Sequence, residues 1–166
     1  MNETTTNTPE TQDRVDEGRE KYLLFMLGGE YYGVPLLTVK EVIRLRGVKQ
    51  VPYMHRHFIG VINLRGQIVG VSDLRLRYGK PQCDPEESRV LIVKVERDGV
   101  SGLLGAVVDD LYSVTELGKA EIDRPTNLEV SVASQYFIGV AKLPDRLVTL
   151  IDLAGSLSDE EFRQAA

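Results

Sequence analysis

The sequence lacks tryptophan and has one cysteine and two histidines among its 166 residues. A single cysteine, Cys83, cannot form a disulfide within the chain, and this favours a reducing, cytoplasmic location. No run of apolar residues approaches the ~18–20 needed to span a bilayer, so direct membrane insertion is not expected. Residues 1–16 contain no apolar segment typical of a secretory signal.

The chain also lacks the residue patterns on which enzymes depend. No Gly-x-x-x-x-Gly-Lys-Ser/Thr segment is present that could hold phosphates, and no serine, histidine and aspartate set indicates a nucleophile. His55 and His57 could share a zinc ion from one strand, but the spacing indicates no third ligand, so we interpret them as surface residues. We therefore expect no enzymatic activity, no cofactor and no metal.

The charge balance is acidic overall but uneven along the chain. The formal net charge is −5, which disfavours binding to a phosphate backbone. Cations nevertheless concentrate in one quarter of the chain, at Arg44, Arg46, Lys49, Arg56 and Arg65. This cluster is either a solvated basic face or an electrostatic docking surface for an acidic protein, and nucleic acid is the weakest of the alternatives.

Composition divides the chain into three parts. Residues 1–18 are polar and acidic and are predicted to form a disordered tail, because they cannot bury enough apolar surface to offset the entropy of ordering. Residues 19–157 are predicted to form the folded domain. Residues 158–166 are predicted to be a short helix, since Ser158 and Glu161 have the spacing of a capping box.

Three stretches are predicted to form β-hairpins, because two apolar runs flank a glycine-containing turn in each. The paired runs are 22–27 with 31–34, 58–64 with 67–71, and 90–95 with 102–108. Between the first two hairpins, the spacing of Leu36, Val39 and Ile43 predicts a helix of two or three turns that ends near Gly47.

An internal repeat organises these elements. Residues 58–74 align without a gap on residues 137–153, and eight of the seventeen positions are identical. Because an apolar hairpin precedes each copy, the chain is predicted to contain two homologous β units that pack together as small barrels. Asp73 and Asp152 are equivalent in the two copies, so each is predicted to cap a short helix rather than to act as a catalytic acid.

Several segments resemble the CheW family of chemotaxis coupling proteins. They are 39–43 (Val-Lys-Glu-Val-Ile), 60–66 (Gly-Val-Ile-Asn-Leu-Arg-Gly), 72–75 (Ser-Asp-Leu-Arg), 105–109 (Gly-Ala-Val-Val-Asp) and 136–140 (Tyr-Phe-Ile-Gly-Val). The resemblance runs from about Tyr22 to about Leu157. It implies an all-β fold of two intertwined five-stranded SH3-like barrels with a few short helices.

The resemblance also implies a function. The family is one of non-catalytic adaptors, which bind the regulatory domain of the histidine kinase CheA and the cytoplasmic tips of methyl-accepting chemotaxis proteins. It implies recruitment to membrane-associated receptor arrays. This sequence departs from the family at Gly70, where proline is common, at Ile59, where lysine is common, and in the more basic segment 53–57.

Six residues are candidates for partner binding, and five of them, all except Glu41, match family positions implicated in it. They are Val39, Glu41, Gly60, Arg65, Gly105 and Val114. Glu41, predicted to lie on the polar face of the short helix, and Arg65 are expected to approach each other at a receptor groove between the barrels. The alternative for the two charged residues is solvation, for the valines core packing, and for the glycines backbone geometry alone.

Three other functions compete with this prediction. Within the family, the chain could serve a non-flagellar chemosensory pathway such as surface motility. A small barrel that binds single-stranded nucleic acid is a remote alternative, because it would need a basic groove with stacking aromatics. An enzyme that uses a barrel cleft would need an acid, a base, a metal or a phosphate loop that the sequence does not indicate.

Overall fold

The computed structural model describes residues 18–52, 54–81, 87–124 and 136–157. These residues form two β-sheets with short helical turns between the strands. The strands are β1 Arg19–Leu27, β2 Glu30–Pro35, β3 Val39–Arg44, β4 Phe58–Leu64, β5 Gln67–Asp73, β6 Arg89–Arg97, β7 Val100–Val108, β8 Asp110–Gly118, β9 Ile122–Asp123, β10 Phe137–Leu143 and β11 Arg146–Ile151. The helical segments are 3-10 turns at Leu36–Thr38 and Lys119–Glu121, helix α1 at Leu74–Arg77, and helix α2 at residues 153–157. Cys83, nearly all of the predicted tail and the predicted helix 158–166 lie outside the described residues.

The three predicted hairpins are confirmed, and β10 with β11 forms a fourth. Their turns explain why the sequence signal was strong. Arg65 and Gly66 have φ angles of 49° and 86°, and Asp98 and Gly99 have 52° and 78°. Two consecutive residues with positive φ give a turn whose twist matches that of the flanking strands.

The two sheets are intertwined, as the resemblance implied. The six-stranded sheet has the order β8-β1-β2-β11-β10-β9, and the five-stranded sheet has the order β3-β6-β7-β5-β4. Parallel pairing of β2 with β11 joins the first hairpin to the last one, and parallel pairing of β5 with β7 joins the second hairpin to the third. Each SH3-like barrel therefore contains one hairpin from each half of the chain.

The repeat is visible in the structure as well as in the sequence. Strands β4 and β10 have the same burial pattern along their seven residues, and each has a β-bulge near its start. The sixth strand of the larger sheet, the two-residue β9, pairs with Val140 of β10. At the equivalent place in the smaller barrel, Val61 of β4 forms a single bridge with Lys49.

The helix predicted from Leu36, Val39 and Ile43 is wrong. Only Leu36–Thr38 is helical, as one 3-10 turn, and the chain then continues as β3. Glu41 therefore lies on a strand that pairs with β6, not on a helix. The apolar spacing suited a helix, but β-branched side chains and the free edge of β6 favour a strand here.

Strand β8 was not predicted. Its residues alternate between exposed and less exposed positions from Asp110 to Glu116, which is the period of a half-buried strand. It pairs with β1 in the six-stranded sheet, just as β3 pairs with β6 in the five-stranded sheet. The repeat could have indicated this strand, because each unit follows its first hairpin with a strand that pairs with the other unit.

The main core lies between the two barrels. It contains Leu23 and Phe25 of β1, Leu91 and Val93 of β6, and Leu74 of α1, all buried. Leu24, between two of these residues, belongs to a separate core inside the six-stranded barrel. Strand β1 is thus buried on both faces, which accounts for the unbroken apolar run that begins at Tyr22.

Candidate partner-binding site

Glu41 and Arg65 form a direct contact at the open side of the five-stranded barrel. Glu41 lies on β3 and Arg65 in the turn between β4 and β5, and β3 and β4 are the two outer strands of that sheet. The Nη2 group of Arg65 donates a hydrogen bond to Oε1 of Glu41. Strands β3 and β4 are at opposite ends of the strand order, and they come close because the sheet curls into a barrel. The ion pair therefore lies where the two end strands of one barrel approach each other.

The pair is accessible from solvent. The side chain of Arg65 is 66% exposed and that of Glu41 is 26% exposed. The hydrogen bond that Arg65 donates to Glu41, and then the negative charge of Glu41, raise the pKa of Arg65 above its ordinary value. The arginine is therefore always charged, and most of its side chain is open to solvent, where a partner can reach it.

The turn fixes the position of Arg65. Its φ of 49° is unusual for a residue other than glycine, and the side chain of Asn63 stabilises the turn by accepting a hydrogen bond of 2.7 Å from the Gly66 N–H. The segment Asn63–Gly66 therefore acts as one unit, in which the asparagine shapes the loop that presents the arginine.

The two valines of the predicted site differ in their surroundings. Val39 is half-buried and packs against the core between the barrels. Val114 is 53% exposed on β8, where Leu23 of β1 lies opposite it. A partner can therefore contact Val114 directly, whereas a change at Val39 acts at least in part through packing.

The two glycines of the predicted site are buried, and a side chain at Gly60 would clash with the backbone, whereas one at Gly105 would be tightly packed. Gly60 has a φ of +145°, and a Cβ placed there would lie 2.2 Å from the carbonyl oxygen of Lys49. Gly139 is its equivalent in the second barrel, where a Cβ would lie 2.8 Å from the carbonyl oxygen of Asp123. At Gly105 a Cβ would lie 3.0 Å from a methyl group of Val90. Any effect of these glycines on partner binding is thus carried by the shape of the backbone.

A buried ionic cluster connects the two barrels, and sequence analysis missed it. Arg75 is 2% exposed, and its Nε and Nη2 groups donate to both carboxylate oxygens of Asp73 at 2.9 Å. Its Nη1 group donates to Ser88 Oγ at 3.0 Å and lies 3.4 Å from Asp109. Asp109 in turn accepts a hydrogen bond of 2.7 Å from the Gly28 N–H, in the turn between β1 and β2. One guanidinium therefore fixes groups from both barrels.

The predicted capping roles of Asp73 and Asp152 are confirmed. Asp73 accepts a hydrogen bond of 2.9 Å from the Arg75 N–H at the start of α1. Asp152 accepts one of 3.0 Å from the Gly155 N–H at the start of α2. Ala154 occupies the place in the repeat that Arg75 has in the first copy, so only the first copy has the buried ion pair.

A second cluster missed by sequence analysis lies where β2, β8 and β11 present side chains to one another. The guanidinium of Arg146 lies 4.3 Å from the ring centre of Tyr31 and 4.5 Å from that of Tyr112. Two hydrogen bonds to Asp145, of 3.0 and 2.6 Å, hold it in place, and they raise the pKa of Arg146. Tyr112 and Leu147 are respectively 45% and 64% exposed, so an accessible apolar surface adjoins this cation–π contact.

His55 and His57 lie close together, with ring centres 4.1 Å apart. His57 lines a cleft of about 440 Å³ that also involves Tyr32, Tyr78 and Phe137.

Within the described ranges, no three or more His, Cys, Asp or Glu side chains gather in a way that could hold a metal ion. Among the same residues, no helix has the length and apolar character needed to cross a membrane.

Comparison with known proteins places this arrangement in a family. Residues 21–161 match the family described as CheW-like domain. The chain belongs to the CheW-like domain family. It is 34% identical over 144 residues to "Chemotaxis protein CheW" of Klebsiella aerogenes, covering 86% of this chain and 84% of that protein. It is 30% identical over 152 residues to "Probable chemotaxis protein CheW" of Rhizobium etli, and the match covers 91% of this chain and 96% of that protein.

A solved structure confirms the architecture. The scaffolding protein TtCheW from Thermoanaerobacter tengcongensis superposes with a TM-score of 0.69 at 29% identity, covering 81% of this chain and 89% of that protein. Membership of a family with a scaffolding role agrees with the prediction that the barrels serve protein contacts. Within that family, the exposed Glu41–Arg65 pair and the surface near Val114 are the described candidates for such contacts.

Proposed function

We propose that the chain is a non-catalytic adaptor of bacterial chemotaxis, which couples methyl-accepting chemoreceptors to the histidine kinase CheA. Family membership over residues 21–161 is the observation that carries this proposal. Relatives are named chemotaxis proteins, and one solved relative is named a scaffolding protein. The proposal includes a cytoplasmic location and recruitment to receptor arrays.

The Glu41–Arg65 pair supports a receptor-binding role for the five-stranded barrel. An exposed ion pair contributes little to folding, since solvent screens it. Both side chains belong to segments that resemble the family, and both are accessible. The two opposite charges are therefore better suited to orienting a charged partner than to stabilising the fold.

The outer surface of the six-stranded barrel supports a second contact, with the regulatory domain of the kinase. Val114, Tyr112 and Leu147 are apolar or aromatic side chains exposed on β8 and β11. Exposed apolar groups with a polar rim are typical of protein interfaces, and Arg146 with Asp145 supplies polar groups beside them. The resemblance implies barrel-to-barrel packing for this contact.

Two binding experiments test the proposal. The immobilised chain is expected to retain both the regulatory domain of CheA and a receptor tip fragment. Glu41→Arg or Arg65→Glu alone is expected to weaken receptor binding on the order of tenfold, and the double reversal should restore it, because the opposite charges meet again.

A matched control is available in the other barrel. Asp123 and Lys142 form an exposed ion pair of 2.6 Å with side chains 57% and 69% exposed. Reversing either charge there should leave both partners bound. Binding of neither partner to the wild-type chain would contradict the proposed function, and failure of the double reversal would contradict only the direct role of the Glu41–Arg65 pair.

A further inference from the structure

The described residues 44–52 and 54–57, here called the basic loop, carry an uncompensated positive charge. It begins at Arg44, the last residue of β3, and ends just before β4, and Arg44, Arg46, Lys49 and Arg56 are all exposed. No aspartate or glutamate occurs between positions 42 and 72, although the chain as a whole has a net charge of −5. The basic loop is therefore a local reversal of the charge that covers the rest of the molecule.

The four cations of the basic loop have no carboxylate partners among the described residues. Arg65, in the nearby turn between β4 and β5, pairs with Glu41, but these four cations form no ion pair with a described residue. Arg44 lies directly opposite another cation, Arg89, in the pairing of β3 with β6. Like charges placed opposite each other destabilise a sheet, so folding alone gives no reason for this arrangement.

The basic loop also exposes apolar side chains. Val51 is 39% exposed and Met54 is 41% exposed. Methionine adapts its shape to a contacting surface, and apolar groups surrounded by charges are typical of protein interfaces. A partner that binds here thus gains from apolar contact as well as from charge.

Backbone hydrogen bonds fix the shape in which the basic loop is presented. The N–H of Lys49 donates to the carbonyl of Val61 at 2.8 Å, and the N–H of Val61 donates back at 2.9 Å. The carbonyl of His57 accepts a hydrogen bond of 2.8 Å from the Asp73 N–H. These bonds attach the middle and the end of the loop to the barrel, which lowers the conformational entropy that the loop would lose when a partner binds.

We propose that the basic loop is a docking surface for an acidic protein segment, one that carries clustered carboxylates and a few apolar side chains. The inference rests on the proposed function, because it specifies the chemistry of one partner of the adaptor. An acidic protein segment is favoured over nucleic acid or an anionic membrane because a short segment covers only the basic loop. A long duplex or a bilayer would also face the negative charge of the remaining surface, whereas a short segment contacts the loop alone.

A peptide titration tests this inference. The probe is a fluorescent peptide of about twenty residues. It carries clusters of glutamate separated by single leucines. The loop variant carries Arg44→Gln, Arg46→Gln, Lys49→Gln and Arg56→Gln. The control variant carries Lys21→Gln, Lys94→Gln, Lys119→Gln and Arg124→Gln, which removes the same charge from exposed positions elsewhere.

The loop variant is expected to bind the peptide at least about tenfold more weakly than the wild type, and the control variant within about twofold of it. Because solvent-exposed charges are screened over ~8 Å at physiological ionic strength, wild-type binding should also weaken as salt is raised. Equal losses in the two variants, or no wild-type binding, would overturn the inference. So would loop-dependent binding of a DNA duplex or of vesicles containing phosphatidylserine without binding of the peptide.

The result separates this inference from the proposed function. Loop-dependent peptide binding by a chain that retains neither CheA nor the receptor fragment would contradict only the proposed function. Retention of both partners without peptide binding would contradict only the inference. Circular dichroism of each variant checks that the fold is intact.

Discussion

Replacing Arg75 by methionine is expected to destabilise the protein by about 3–5 kcal/mol. Arg75 and Asp73 are 2% and 3% exposed, so removing the guanidinium leaves a buried carboxylate with the loss of two hydrogen bonds of 2.9 Å. Breaking a buried ion pair by removal of one partner costs about that amount. Methionine retains the apolar stem, so a large cavity does not add to the loss.

The internal repeat supplies the control for this prediction. Asp152 caps α2 as Asp73 caps α1, but it is exposed and has no arginine at the equivalent of position 75. Asp152→Ala removes only a helix cap, so it is expected to lower the free energy of unfolding by about 0.5–2 kcal/mol. Arg75→Lys should give an intermediate loss, because lysine keeps the charge but cannot donate two parallel hydrogen bonds to a carboxylate.

Urea unfolding followed by circular dichroism measures these differences. The free energy of unfolding should fall for Arg75→Met while its dependence on urea concentration stays unchanged, since the variant and the wild type expose similar amounts of surface on unfolding. The reasoning is refuted if Arg75→Met costs no more than Asp152→Ala. It is also refuted if Arg75→Lys is as stable as the wild type.

Two further predictions concern backbone and burial. Gly60→Ala is expected to cost more than about 3 kcal/mol, because a Cβ would lie 2.2 Å from the Lys49 carbonyl oxygen at a φ of +145°. Gly66→Ala has a φ of +86° but no atom within 4 Å, so its cost should be about 1 kcal/mol, and equal losses in urea unfolding would contradict the steric argument. Burial raises the pKa of Tyr22, with further contributions from Glu20, and burial raises that of Tyr32. The unfolded chain therefore ionises these phenols at lower pH than the folded chain, so their contribution to stability is complete below about pH 10 and is lost as the pH rises above it. In absorbance titrations at 295 nm, Tyr22→Phe and Tyr32→Phe should each lack one late-titrating group.

Local signals in the sequence were sufficient for the hairpins and the repeat. The Gly28-Gly29, Arg65-Gly66 and Asp98-Gly99 turns carry their own backbone requirement, so each marked a hairpin without any knowledge of the partners. The match of residues 58–74 with 137–153 then predicted two equivalent units. The exchange of hairpins between barrels came from the family resemblance, because no local pattern specifies which strand pairs with which.

Features that depend on distant partners could not be predicted in the same way. The apolar spacing of Leu36, Val39 and Ile43 suits a helix, and only the edge of β6 makes β3 a strand. The sequence Ser-Asp-Leu-Arg at 72–75 resembles the family, but nothing in it indicates that Ser88 and Asp109 contact the arginine. Likewise, the contact of Arg146 with Tyr31 and Tyr112 requires the pairing of β2 with β11 and of β1 with β8.

The predicted site divides into residues that a partner can touch and residues that shape the surface. Arg65, Glu41 and Val114 are accessible, whereas Gly60 and Gly105 are buried. The pairing of Glu41 with Arg65 was expected, although both lie on one barrel. The roles of all six residues in partner binding stay predictions that the variants above can test.

Bridging is the property that distinguishes an adaptor from a protein that merely binds one component. The direct measurement is retention of the CheA regulatory domain on beads that carry a receptor tip fragment, with and without this chain. Retention should rise several-fold when the wild-type chain is added and should fall back when Arg65→Glu is used instead. Retention that is the same with and without the chain would contradict the account.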